Sequence, residues 1–167
     1  MKLKKSDING YFCPDDPGEP VWNTQRLSIN DLEARFISEF AHGKNVLEIG
    51  TGLGVATRAL AATAKHVYTV DIDPWVKESV ELPDNATFFD SAESLVTNSM
   101  DMAFIDGCHE ERYVIEDIKI CRRIVKKGGL LLFHDTNMTS VRNGIAKSGL
   151  SAYGLNFEAG IGIGWND

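Results

Sequence analysis

The sequence predicts an α/β fold: a doubly wound, mostly parallel seven-stranded sheet with helices on both faces, in a single domain. Three observations carry this. Short, near-continuous apolar runs alternate with amphipathic helical patterns, as in parallel strands buried beneath the helices that connect them. The last residues of those runs are glycines, carboxylates and a histidine, which suits a fold whose ligand crevice lies beyond the carboxyl ends of its strands. The tail AYGLNFEAGIGIGWND alternates apolar and small residues and reads as two further strands. At 167 residues and 43% hydrophobic, the chain is one globular domain with a sizeable core.

The elements follow in order. Residues 1–27 contain YFCPDDPGEPVW, whose prolines and acidic pairs exclude regular structure. This segment is a tail or a lid, with Tyr11, Phe12 and Trp22 as aromatic contacts in the second case. The folded domain takes residues 28–167. SINDLEARFISEFAHG is a helix, capped by Ser28 or Asn30, with Asp31 or Glu33 in its first turn and Gly43 past its end. Leu32, Phe36, Ile37 and Phe40 form its apolar stripe. NVLEIG, HVYTVDI, ATFFD, MDMAFIDG and GGLLLFHDT are the strands that follow. Between them lie helices GVATRALAATA, PWVKESVEL with Pro74 in its first turn, the short turn SAESLV, and ERYVIEDIKICRRIV. The last of these places Val114, Ile115, Ile118 and Val125 on one side, and the cations Arg122 to Lys127 oppose the negative end of its dipole. TSVRNGIAKSG is a weaker final helix.

Composition narrows the partners. A net charge of −7 argues against nucleic acid, whose phosphates are met by clustered Lys and Arg. No segment approaches the roughly 20 apolar residues that cross a bilayer, so no membrane is expected. Cys13, Cys108 and Cys121 are odd in number and lack a CxxC spacing, so neither a disulfide framework nor a zinc knuckle is expected, and a reducing cytoplasm fits. Cys108 and Cys121 are expected to pack.

The strand ends carry the chemistry. The first runs through Glu48, Gly50, Thr51, Gly52 and Gly54, glycines at alternate positions that let the backbone turn and approach a ligand. A dinucleotide fingerprint has its third glycine one place later, where Val55 stands. The second strand ends at Asp71 and Ile72, about 20 residues beyond the glycines, where a carboxylate accepts hydrogen bonds from ribose hydroxyls; Asp73 reads as a helix cap. The third ends at Asp90 and Ser91, which reach an adenine edge or cap the next turn. The fourth ends at Asp106 and the fifth at His134 and Asp135.

VLEIGTGLGVAT, followed by VDID, FDSAE and FIDGCHE, resembles the class I S-adenosylmethionine-dependent methyltransferases over roughly residues 45–136. FIDGCHEERYVIEDI with KKGGLLLFHDT is similar to a branch of small-molecule O-methyltransferases that includes macrocin-type sugar methyltransferases. Asp106, Gly107, His109, Asp117, Gly128, Gly129, His134 and Asp135 keep that pattern, and Glu111 departs from it where the branch has Tyr.

The resemblance implies a Rossmann-like methyltransferase fold with S-adenosylmethionine across Gly50, Gly52 and Gly54, its ribose on Asp71. Glu48, Thr51, Ile72, Asp90, Ser91 and Asp106 complete the expected cofactor contacts. An acceptor hydroxyl must lose a proton, to a base or with the help of a metal ion. His109 and Asp106 are the expected catalytic residues. Asp106 and Asp135 face each other across two strand ends and suit magnesium, with the third ligand left open; the alternative is that Asp106 contacts the cofactor and Asp135 begins a loop. The expected activity is methyl transfer to a hydroxyl of a small molecule or sugar. The alternatives are a catalytically inactive S-adenosylmethionine-binding protein or partner subunit, and a nicotinamide-dependent oxidoreductase. Little is appended to the core to hold an acceptor, so residues 8–28, the loops or a second copy in a homo-oligomer would have to supply its pocket.

Overall fold

A computed structural model describes residues 29–167; the expectations for residues 1–27, Cys13 and Ser28 lie outside the described residues. The elements are α1 (Asp31–Ala41), β1 (Asn45–Ile49), α2 (Val55–Ala61), β2 (His66–Val70), α3 (Pro74–Ser79), β3 (Ala86–Phe89), β4 (Met100–Ile105), α4 (Glu111–Ile124), β5 (Val125–Phe133), α5 (Thr139–Lys147), β6 (Ala152–Leu155) and β7 (Ile161–Trp165). They build a seven-stranded sheet in the order β3-β2-β1-β4-β5-β7-β6. Strands β1 to β5 are mutually parallel, and β7 runs antiparallel between β5 and β6.

Alternation along the strands sorts the core into two layers, because successive side chains leave a strand on opposite faces. Leu47, Ile49, Ala103, Ile105, Leu131 and Phe133 face one way, against Val114, Ile118 and Cys121 of α4 and Val141 and Ile145 of α5. Val46, Met102, Phe104 and Leu132 face the other, against Ile37 and Ala41 of α1 and Ala56 and Leu60 of α2. The parity of β5 therefore puts His134, two past Leu132, on the α1 side.

Three expectations are corrected. Of the expected α1 stripe, Ile37 is buried and Phe36 and Phe40 pack partly buried against the core, but Leu32 is 64% exposed and Glu33 and Ala41 complete the buried face. The helix is rotated relative to the expected stripe, and a carboxylate takes a core position. Lys126 and Lys127 do not end a helix, because β5 already begins at Val125; Arg123 instead donates to the carbonyls of Leu95 and Ala92. Cys108 is disulfide-bonded rather than merely packed, which removes the argument from cysteine usage for a reducing compartment. Cys121 is buried as a free thiol, as expected. Among the described residues, no helix is long and apolar enough to cross a membrane.

Candidate active site

The strand order reverses between β1 and β4, the place where a doubly wound sheet opens a crevice. Four strand ends are stitched together there. Gly50 N donates to Val70 O, Asp106 N to Ile49 O and His134 N to Ile105 O.

On the β1–β2 side the crevice is mostly backbone. Gly50, Gly52 and Gly54 all have positive φ, but they do different things. A Cβ on Gly50 would collide with the carbonyl of Asp106, so the loop lies directly against the end of β4. Among the described residues, a Cβ on Gly52 would meet no atom within 4 Å. Gly52 thus lines open space, as a cradle for a ligand requires.

The Asp71 carboxylate holds this loop in place. Its Oδ2 accepts from Gly52 N at 2.9 Å and its Oδ1 from Asp73 N at 2.9 Å. Each oxygen keeps a further lone pair for a ligand hydroxyl. Ile72 is 53% exposed beside it.

Glu48 and Thr51 serve the loop from behind. Thr51 Oγ1 is 2.6 Å from Thr69 Oγ1, and Thr57 donates to Glu48 Oε2 at 2.6 Å. Glu48 is fully buried, with no protein partner on Oε1 among the described residues. Burial pushes its carboxyl up to about 8, against the lowering effect of its threonine partners. The Glu48 side chain, without exposed surface, braces the loop from behind and ties it to α2 through Thr57. At the outer margin, Ser91 caps the turn after β3 by accepting from Glu93 N, and exposed Asp90 lies 3.7 Å from Lys77. Asp73 caps α3 through Trp75 N, as expected.

On the β4–β5 side the crevice is made of side chains. Asp106 Oδ1 and Asp135 Oδ2 both lie 3.1 Å from His134 Nδ1. The same two oxygens lie 3.5 and 3.0 Å from His109 Nε2. Asp135 reaches this position from a left-handed backbone, φ 54°, which a non-glycine residue holds only under local constraint. The two carboxylates that the sequence pairs are thus brought together, with His109 beside them.

Two residues complete the cluster. His134 was expected as a strand-end residue of the resembling His-Asp pattern, without a role of its own, and Glu33 only as a first-turn helix acid. His134 is 6% exposed and Glu33 1%. His134 Nε2 lies 3.3 Å from Glu33 Oε2. The sequence signal for Glu33 was its spacing from Ile37 and Ala41, four and eight residues on, which places all three on one helix face.

The charges compensate each other. Burial would lower both imidazoles, but Asp106 and Asp135 outweigh it and raise His109 to about 9 and His134 to about 11. Burial would raise both aspartates, but the two histidines hold them below the usual carboxylate range. The two carboxylates thus favour the protonated form of each imidazole, and the imidazoles favour the ionised form of each acid. Asp106, His134 and Asp135 each offer one donor atom, all within 4.8 Å of one another, a set that fits a divalent cation. Glu111, where the resembling branch has Tyr, accepts from Lys147 of α5 at 2.6 Å.

A family model described as a methyltransferase domain matches residues 47–136, more than half of the chain. No curated protein matches the sequence. Among solved structures, cofactor-bound Rv0187 from MTB is similar at 18% identity and TM-score 0.68, over 84% of this chain and 82% of that one. An O-methyltransferase from Bacillus cereus in complex with SAH is similar at 16% identity and TM-score 0.63, over 83% of this chain and 82% of that one. A tRNA (m1A58) methyltransferase, TrmI from Aquifex aeolicus, is similar at 16% identity and TM-score 0.65, over 83% of this chain and 69% of that one. Likeness at these identities establishes the fold, and their differing acceptors leave the substrate to be argued from the site.

Proposed function

The chain belongs to the methyltransferase domain family, and from that premise we propose that it transfers the methyl group of S-adenosylmethionine to a hydroxyl of a small molecule or sugar, assisted by a divalent cation. The observation that carries this reading is the shared wall between the two halves of the crevice. Gly50 of the cofactor loop packs against the Asp106 carbonyl, and the Asp106 side chain belongs to the acid–imidazole cluster. A methyl group presented over Gly52 would therefore lie near a group of charged side chains placed to handle an acceptor's proton.

In the transfer, an acceptor oxygen forms a bond to the methyl carbon as the carbon–sulfur bond breaks, and the thioether product leaves with that electron pair. The sulfonium is already a strong electrophile, so the protein's task is alignment and removal of the hydroxyl proton. Gly52 and Asp71 would hold the cofactor, with Ile72 against its adenosine. Asp106 and Asp135 would hold the cation, with His134 as a third donor. When bound, such a cation supplies a Lewis acid that lowers the pKa of a coordinated hydroxyl, and it offsets the negative charge that keeps His109 protonated. His109, 3.0 Å from Asp135, then stands where it can accept the proton.

Calorimetric titration with S-adenosylmethionine, its demethylated product and NAD, each with and without magnesium, tests this reading. Binding of the first two is expected. Binding of NAD alone would overturn the proposal.

A further inference from the structure

We infer that Glu33 is a positioning residue that presents His134 Nδ1 to the cation, so that the site selects a nitrogen-accepting divalent transition metal such as manganese(II) over magnesium. This rests on the cation site proposed above and adds the residue that orients its third ligand and the metal preference that follows.

Two of the hydrogens around Glu33 belong to backbone amides. Glu33 Oε2 accepts from Asn30 N at 3.0 Å, and Oε1 accepts from Ala159 N at 3.1 Å. Both donors are backbone amides, so the two oxygens are held in the acceptor role. The third partner, His134 Nε2 at 3.3 Å, must then be a donor and carry its hydrogen towards Glu33. Nδ1 is the ring nitrogen left to face Asp106 and Asp135, at 3.1 Å from each.

The ring has little freedom to turn away. His134 is 94% buried by its 6% exposure, and the Phe104 ring stands 6.2 Å from it. Glu33 is fixed in turn, since it closes the capping box of α1 with Asn30 and holds the segment before β7 through Ala159. A carboxylate that accepts the far N–H of a metal-ligating histidine is the usual outer partner that sets tautomer and ring orientation.

Donor chemistry then separates the metals. Magnesium favours an all-oxygen octahedron and keeps its waters, whereas imidazole nitrogen suits the first-row transition metals. A site with two carboxylate oxygens and one imidazole nitrogen gains a ligand for manganese that magnesium uses poorly.

The test is metal binding to the full-length protein, read by calorimetry with manganese and magnesium and by nitrogen hyperfine coupling to bound manganese. In the unaltered protein, manganese should bind at least about tenfold more tightly than magnesium and show coupling to one imidazole nitrogen. His134→Ala should abolish the coupling and shrink the preference. Glu33→Gln, which must place its amide against one of the two backbone N–H donors, should weaken manganese binding by about 10- to 100-fold. Glu33→Asp should recover less than the native side chain, because it is one methylene too short.

Manganese bound without nitrogen coupling, coupling that survives His134→Ala, or Glu33→Gln binding manganese as the unaltered protein does would each overturn the inference. The wild-type measurement stands even where a variant fails to fold. If neither metal binds, the inference falls and so does cation assistance, while S-adenosylmethionine titration of the same sample decides separately whether the methyl-transfer reading stands.

Discussion

The two halves of the crevice are built by different means. The β1–β2 half is a backbone cradle of glycines, held by Asp71, and all its parts come from residues 48–73. The β4–β5 half is a cluster of ionisable side chains gathered from α1, the β4–α4 loop and the end of β5, with Glu33 and His134 separated by 101 positions. A backbone cradle can serve the same cofactor under many acceptors. On the proposed function, a side-chain cluster fixed by tertiary packing would carry the chemistry directed at the acceptor.

Substitutions should separate the halves. The largest effect is expected from Asp135→Asn, which keeps a residue tolerant of the left-handed backbone but removes the charge. Methyl transfer should fall by about 10²- to 10⁴-fold, while S-adenosylmethionine affinity stays nearly intact. Equal loss of both in side-by-side kinetics and calorimetry would move Asp135 into the cofactor half and break the comparison.

Next come Gly50→Ala and Gly52→Ala. Gly50→Ala should destabilise the fold by about 1–3 kcal/mol through its clash with Asp106, beyond about 1–2 kcal/mol of left-handed strain. Gly52→Ala carries only the strain term in stability, yet its methyl group fills the cradle. Denaturant melts should rank Gly50→Ala as the less stable, and cofactor titration should show the loss in Gly52→Ala even where it is folded.

Asp71→Ala removes the anchor of the loop and, on the proposed function, the acceptor for the cofactor's ribose with it. Cofactor binding should weaken by about 1.5–3 kcal/mol, roughly 10- to 150-fold, with the metal affinity of the other half unchanged.

The smallest effect lies behind the loop. The Glu48 carboxyl titrates near 4.5 when exposed and is raised to about 8 in the fold. Between those values the folded state holds a proton that the unfolded state has lost, so its contribution makes stability fall as pH rises, by at most about 1.4 kcal/mol per pH unit. Glu48→Gln should flatten that slope in denaturant melts from pH 5 to 8. An unchanged slope would show that the carboxyl is not the titrating group.

The sequence foretells the cradle better than the cluster, for a physical reason. Glycine spacing and an acid about 20 residues on are short-range marks of a backbone turn, and they survive without coordinates. The place of Asp106 and Asp135 at the ends of two strands, on the same side of the sheet, also foretold that their carboxylates would meet. Which face α1 buries was misread, because Leu32 is the more apolar choice and a first-turn Glu reads as a solvated helix cap. Glu33 sits in the core with three polar groups converging on it, its own cap residue Asn30 and the distant His134 and Ala159. The two distant partners are a property of the packed state, with no short-range mark in the chain. The start of β5 was missed for a related reason: Val125, Lys126 and Lys127 continue the composition of the preceding helix, and only pairing with β4 draws Val125 into the sheet.

The bond between Glu33 and Ala159 spans 126 positions and has a consequence in time. The segments that make the cradle leave the ribosome well before the hairpin of β6 and β7. Long-range closures form late because their ends must first be brought together. A chain still being synthesised can therefore shape its cofactor loop before Glu33 is seated against His134, and chemistry begins only after the last strand has arrived.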